Sequence, residues 1–353
     1  MVFKEFRELR RDRRTVAMMI ALPVILLVVF GYAANFRVSD IPTAVVGPSA
    51  SQAAALLNEP AFHVSEIDTA AGEPAARDLL RDGKAVVAVV TGGSAPLILM
   101  DGSQLFSVQT AETALGKMAA TTRVQPRVEI LYNPDLSTSW VMVPGLAGLI
   151  LVFIGTLITS LGVVRERQAG TLEQLAVMPF RAWEVIAGKI VPYLIVAAVD
   201  LVVIVAIGMG VFHVPFAGNV GTFALGAALF LLVTLGMGIL VSTVSQNQGQ
   251  AIQLAFMLVM PQVLLSGLIF PVSSMALGVR WISYVLPLTY FIQISRGVML
   301  KAMPISDLWE PIGLLAVLAV VVLGLAVFRF RRDLAPSGRK ERAAARSEEP
   351  VAS

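Results

Sequence analysis

Hydrophobic residues in this chain gather into long unbroken stretches rather than the short alternating runs of a soluble protein. Six stretches, near 16–34, 141–164, 183–211, 220–244, 251–270 and 311–328, each approach the ~20 apolar residues that carry a helix across a bilayer core. Between Leu201 and Val279 no Asp, Glu, Lys or Arg occurs, a length that requires several passes. The pattern predicts an α-helical polytopic membrane protein with six transmembrane helices, and an even number places both termini on one side.

The stretch 36–139 departs from this pattern. Short β-rich runs at 43–46, 63–67, 85–90, 96–100 and 128–132 alternate with helical patterns at 51–58, 73–81 and 107–124. Such interleaving predicts a small α/β extracytoplasmic domain between the first and second helices. Asp82-Gly83 and Asp101-Gly102 read as turn pairs, and His63 stands without the His or Cys neighbours that a metal shell requires.

Charge then orients the chain. Seventeen of its 27 basic residues cluster at 1–14, 165–189 and 329–346, and the excess of Lys and Arg marks cytoplasmic loops. Composition agrees with the class: 56% of the 353 residues are hydrophobic and 14% charged, at a mean hydropathy of +0.78. No cysteine is present, which excludes disulfide staples and thiolate metal sites. The expected organisation is a cytoplasmic amphipathic helix at 1–14, a transmembrane helix at 15–35, the α/β domain at 36–139, five more helices within 140–330, and a basic cytoplasmic tail at 331–353. A basic head, an apolar run and small residues at 31–34 also fit a cleavable signal sequence, so both readings of the first helix stand.

The most informative stretch is 165–192, RERQAGTLEQLAVMPFRAWEVIAGKIVP, a charged, helix-capable segment between two apolar runs. Thr171 suits a helix cap with Gln174 reaching back, and Glu173 sits near the positive helix end. Gly170 permits a sharp entry. Leu172, Leu175 and Ala176 form an apolar side that Pro179 ends, leaving Glu166, Arg167 and Glu173 to a polar surface. Spacing alone allows either a plug for a groove on a partner or a capped turn at the membrane surface.

The run Arg165-Glu166-Arg167-Gln168-Ala169-Gly170-Thr171-Leu172-Glu173-Gln174-Leu175 resembles the coupling helix of the permease subunits of type-2 ABC exporters, the ABC-2 class of ATP-binding-cassette transporters. Leu131-Tyr132-Asn133-Pro134 with Val143-Pro144-Gly145, and Leu286-Pro287-Leu288-Thr289-Tyr290 running to Arg296-Gly297, resemble the same family. The resemblance implies the type-2 exporter transmembrane fold, a coupling helix at 165–180 that meets a cytosolic ABC ATPase subunit through Glu166, Arg167, Gly170, Thr171, Leu172, Glu173 and Leu175, and a homodimer or a heterodimer with a sister permease. It implies ATP and Mg on the partner ATPase and no cofactor on this chain. The absence of a G-x-x-x-x-G-K-[ST] phosphate loop accords with that. Membrane lipids and an extracytoplasmic accessory protein are the other expected partners, nucleic acid is not, and the setting implied is the bacterial cytoplasmic membrane.

The segment 271–305 is broken by Pro271, Pro287 and Pro304 and carries Trp281, Tyr284 and Tyr290, the signature of a partly re-entrant stretch at the water–lipid boundary. Gln262, Ser266, Thr289 and Gln293 are therefore candidates for the translocation path. Asp200 joins them, because an acid inside an apolar run costs about 2.5–3.5 kcal/mol on insertion and needs a bundle-facing site or a proton. The expected function is export of a hydrophobic or amphipathic compound, a drug-like molecule or a lipid. An ATPase-coupled signalling protein that passes no substrate, and an ion-coupled secondary transporter, are the alternatives; one intramembrane acid and no repeated halves argue against the latter.

Overall fold

Five parallel and antiparallel strands sit at one end of a helical bundle in the computed structural model, which describes Val24 and residues 40–334 apart from 58–60, 94, 123–125, 171–180, 273–274 and 276. The first expected span, the amphipathic stretch before it and the tail beyond 334 lie outside the described residues. So do Thr171, Leu172, Glu173 and Leu175.

The elements of the sheet domain fall on the runs read from the sequence: β1 (Ile41–Val46), α1 (Ala50–Leu56), β2 (Phe62–Asp68), α2 (Glu73–Arg81), β3 (Val87–Val90), β4 (Leu97–Asp101), α3 (Leu105–Thr122) and β5 (Arg127–Leu131). Strand order is β2-β1-β3-β4-β5. All pairs are parallel except β3–β4, whose connection at 91–96 is too short for a crossover. Side chains alternate across the sheet. Val45, Val87, Val89, Ile98 and Met100 pack with Phe62 and α3. Ala44, Val46, Ala88 and Leu99 face the other way, against Ala76 and Leu80 of α2. Cover on both faces explains why the central strands β1, β3 and β4 are apolar nearly throughout, whereas the edge strands β2 and β5 carry polar, exposed residues.

The bundle comprises α4 (Thr138–Gln168), α5 (Ala182–Gly210), α6 (Val220–Val244), α7 (Gln248–Leu265), α8 (Leu277–Ser283), α9 (Pro287–Met299) and α10 (Trp309–Leu334). Five of these, α4 to α7 and α10, are long and apolar enough to cross a membrane. The span expected over 251–270 is shifted: Asn247 Oδ1 accepts the Gln250 amide at 2.9 Å and starts α7 at Gln248. The helix stops at Leu265, because Gly267 turns the chain at φ +86°.

Lipid is as apolar as leucine, so these helices associate through close packing rather than water exclusion. A Cβ on Gly238 of α6 would lie 2.9 Å from the Thr156 carbonyl oxygen and 2.7 Å from the Thr159 Cβ of α4. Only glycine permits that approach. Phe291 of α9 stacks on Phe230 of α6, centroids 4.3 Å apart, so α9, itself almost wholly buried, is wedged against the most buried of the five candidate spans. By contrast, α5 and α10 turn most of their surface outward.

Candidate functional site

At the end of the bundle away from the sheet, the last turn of α4 carries the charged run singled out in the sequence. Glu166 forms an ion pair with Lys189 of α5. Arg167 Nη1 donates to the carbonyls of Ser242 (3.0 Å) and Ser245 (2.8 Å), the terminal acceptors of α6, where a cation also complements the helix dipole. Gln248 at the start of α7 donates to Gln168 at 3.0 Å. One helical turn thus ties α4 to α5, α6 and α7. Gly170 follows at φ +74° with open space where a Cβ would stand, so backbone conformation and not crowding asks for glycine. The chain re-enters at α5, where the Glu184 carboxylate accepts the Arg181 amide at 2.8 Å. The described residues on either side of 171–180 are therefore held by side-chain contacts.

At the sheet end, α9 links the two parts of the molecule. Arg296 fans out to three carbonyls, Val141 (3.2 Å) in the first turn of α4, and Gly267 (3.4 Å) and Leu268 (3.3 Å) just past α7. A planar fork of five donors suits this where an ammonium would not. Two residues past α9, Lys301 Nζ reaches Asp101 Oδ2 at 2.6 Å and the Leu80 carbonyl at 2.9 Å, over the Tyr132 ring. Lysine and aspartate side chains are 7% and 1% exposed, so this is a buried pair across the junction. Ser103 holds the other Asp101 oxygen through its amide (3.1 Å) and hydroxyl (2.6 Å). Burial, with Asp101 nearby, pushes the Tyr132 phenol up to about 12.

A cleft of about 370 Å³ lies at this junction. Ser266, Thr289 and Gln293 line it, together with Asp82 and Gln104 of the sheet domain. The Ser266 hydroxyl is buried with no hydrogen-bond partner among the described residues. Thr289 spends its hydroxyl on the Ser283 carbonyl at 2.8 Å, while Gln293 is exposed. Gln262, one turn before Ser266, is buried off the cleft, with its Oε1 also unpartnered. Asp200 lies on α5, half-buried, outside the cleft lining. The structure brings together three of the five candidate path residues and leaves Asp200 apart. Lys301 was missed in the sequence; its signal is a lone cation directly after an apolar helix, which demands a partner.

Among the described residues no group of three His, Asp or Glu side chains is placed to hold a metal. A sequence model of the family described as ABC-2 family transporter protein matches residues 13–328. The probable multidrug ABC transporter permease YbhR of Escherichia coli (strain K12) is 28% identical over 360 residues, covering 95% of this chain and 98% of the relative. Its namesake YbhS from the same strain is 27% identical over 363 residues, covering 94% and 96%. The inner membrane transport permease YhhJ of that strain is 29% identical over 209 residues, covering 58% and 54%.

Proposed function

The chain belongs to the ABC-2 family of transporter proteins, as a permease subunit and not itself an ATPase, and on that premise we propose that it exports a hydrophobic or amphipathic compound across the bacterial inner membrane. ATP and Mg are held by a separate cytosolic ABC subunit. The end of the bundle carrying the basic clusters faces the cytoplasm and the sheet domain lies outside.

The observation that carries this reading is the braced root of 171–180. A segment that transmits force needs a stiff base, and Glu166, Arg167 and Gln168 fix α4 to three neighbouring helices there. Thr171, Leu172, Glu173 and Leu175 then meet the ATPase subunit, and Gly170 sets the angle. Closure of the ATPase pair on ATP pushes these roots and shifts the bundle between inward and outward openings, a rigid-body change biased by a ligand on another chain. Drug-like molecules lead as cargo, since relatives matching nearly the whole chain carry multidrug permease names. Two such permeases in one strain favour a sister permease over a second copy as the dimer partner.

The test is purification from the native membrane in mild detergent. An ABC ATPase subunit co-purifies, and the double variant Gly170→Pro/Glu173→Lys releases it while expression and dimer size stay unchanged. A chain that comes without an ATPase, or a double variant that keeps it, refutes the coupling role.

A further inference from the structure

A second cavity lies toward the other end of the bundle, and the packing of its walls explains it. α10 sits tightly on α6, where a Cβ on Gly236 would stand 2.9 Å from Val322 and 3.1 Å from Leu323. α7 leans instead on α4, where the rings of Phe256 and Phe153 meet edge-on at 5.3 Å, and Pro261 interrupts its hydrogen-bond ladder. The far side of α7 stands off α10, and a groove of about 890 Å³ opens between them over α6. Leu240 and Val244 form its floor, Leu258 and Pro261 one wall, Leu325 and Arg329 the other.

About 30 Å of helix separates Trp309, exposed at the start of α10, from Arg329, which is the thickness of the hydrocarbon core. Arg329 therefore stands at the cytoplasmic boundary, level with the end of α6 at Val244 and the start of α7 at Gln248. From there the groove follows α7 to Pro261, about 20 Å along the helix. Its lining among the described residues is apolar except for Arg329. That guanidinium is exposed, with no hydrogen bond or ion pair among the described residues, and neither α6 nor α7 carries an acid to meet it. A water-soluble molecule would lose its hydrogen bonds along this length. A molecule with an apolar chain and an anionic head loses none.

We propose that this groove binds an anionic phospholipid of the inner leaflet, with one acyl chain along Leu240, Leu258 and Leu325 and the phosphodiester at Arg329. A planar guanidinium suits phosphate through two parallel hydrogen bonds, and the cytoplasmic leaflet is where anionic lipids gather. The inner-leaflet placement rests on the orientation given under the proposed function; the identity of the cargo does not enter. The bound chain fills the gap that α7 leaves against α10, and so completes the packing of the cytoplasmic half of the bundle.

The test uses the full chain in nanodiscs with a phosphatidylglycerol that carries a diazirine midway along one acyl chain. After irradiation the label is expected in peptides covering 254–261 and Leu325, with little on the outward face of α5. Unlabelled phosphatidylglycerol is expected to compete about fivefold better than phosphatidylcholine. Arg329→Gln is expected to remove that preference, whereas Arg331→Gln, exposed on the same helix but off the groove, keeps it. Leu240→Trp fills the floor and is expected to lower labelling by either lipid. Label spread evenly over α5 and α10 refutes a site, and a preference that survives Arg329→Gln refutes the headgroup contact. Absence of label from the groove refutes the lipid outright; the chain has no cysteine of its own, so a disulfide from Leu258→Cys to a cysteine placed in 15–35 would then identify the first span as the occupant. Orientation is read apart, by maleimide access to Arg331→Cys in inverted membrane vesicles: blocked access overturns the orientation and the inner-leaflet placement, while labelling of the groove alone decides the site.

Discussion

Lys301→Met removes the cation from the junction between the sheet domain and the bundle. Its ammonium has three partners, the Asp101 carboxylate, the Leu80 carbonyl at the end of α2 and the Tyr132 ring, and methionine keeps only the stem. Removing one member of a buried ion pair costs about 3–5 kcal/mol, because the other charge stays buried. Asp101 retains two bonds from Ser103, which places the loss at the lower end, about 3 kcal/mol. At 1.4 kcal/mol per decade, local opening becomes about a hundredfold more frequent. Amide hydrogen exchange on the full chain in detergent reads this in peptides covering the end of α2 and the end of α9. Adding Asp101→Leu removes the stranded charge and is expected to restore most of the protection. Exchange in Lys301→Met within about threefold of the parent would refute the claim that this pair holds the junction.

Other consequences are as direct. Gly238→Ala drives a Cβ into the Thr156 carbonyl and is expected to cost about 1–3 kcal/mol in thermal or denaturant unfolding. Gly210→Ala, where nothing lies within 4 Å, is expected to be neutral or stabilising by up to about 1 kcal/mol; equal effects would contradict the packing. Tyr132 has its phenol raised to about 12, so between pH 10 and that value the unfolded chain sheds the proton first and stability falls as pH rises. Tyr132→Phe is expected to remove that alkaline loss and the latest-titrating part of the tyrosinate absorbance at the ultraviolet edge. Asp200→Asn is expected to leave export and its pH profile unchanged, since Asp200 lies apart from the cleft; a flattened profile would make it a proton-coupling group.

Local chemistry was readable where it acts over a few residues. The runs of β1 to β5 alternate between two apolar faces, α2 begins at Glu73 and ends at Arg81 before the Asp82-Gly83 turn, and the apolar stretches matched α4, α5, α6 and α10 closely. Where a boundary depends on one residue's backbone, the reading slipped: Asn247 started α7 early and the positive φ of Gly267 ended it before 270. Contacts across hundreds of residues left no local trace. Nothing near Asp101 indicates that it waits for Lys301, and nothing near Arg296 points to its three carbonyl partners, which come from two other places in the chain, the start of α4 and the turn after α7. The cleft was half legible: Ser266, Thr289 and Gln293 stood out as polar residues in a broken apolar stretch, whereas Asp82 read as an ordinary turn residue of a separate domain and Gln104 gave no signal.

ATP-driven transport coupled through 165–180 can be read in proteoliposomes that hold the purified chain with its co-purified ATPase subunit and no ion gradient. Rhodamine 6G, as an amphipathic probe, is expected to cross the membrane only when Mg-ATP is present on the ATPase side, and Glu173→Lys is expected to abolish this movement without loss of the dimer. Transport by the chain alone, driven by an imposed proton or sodium gradient and indifferent to ATP, would contradict it.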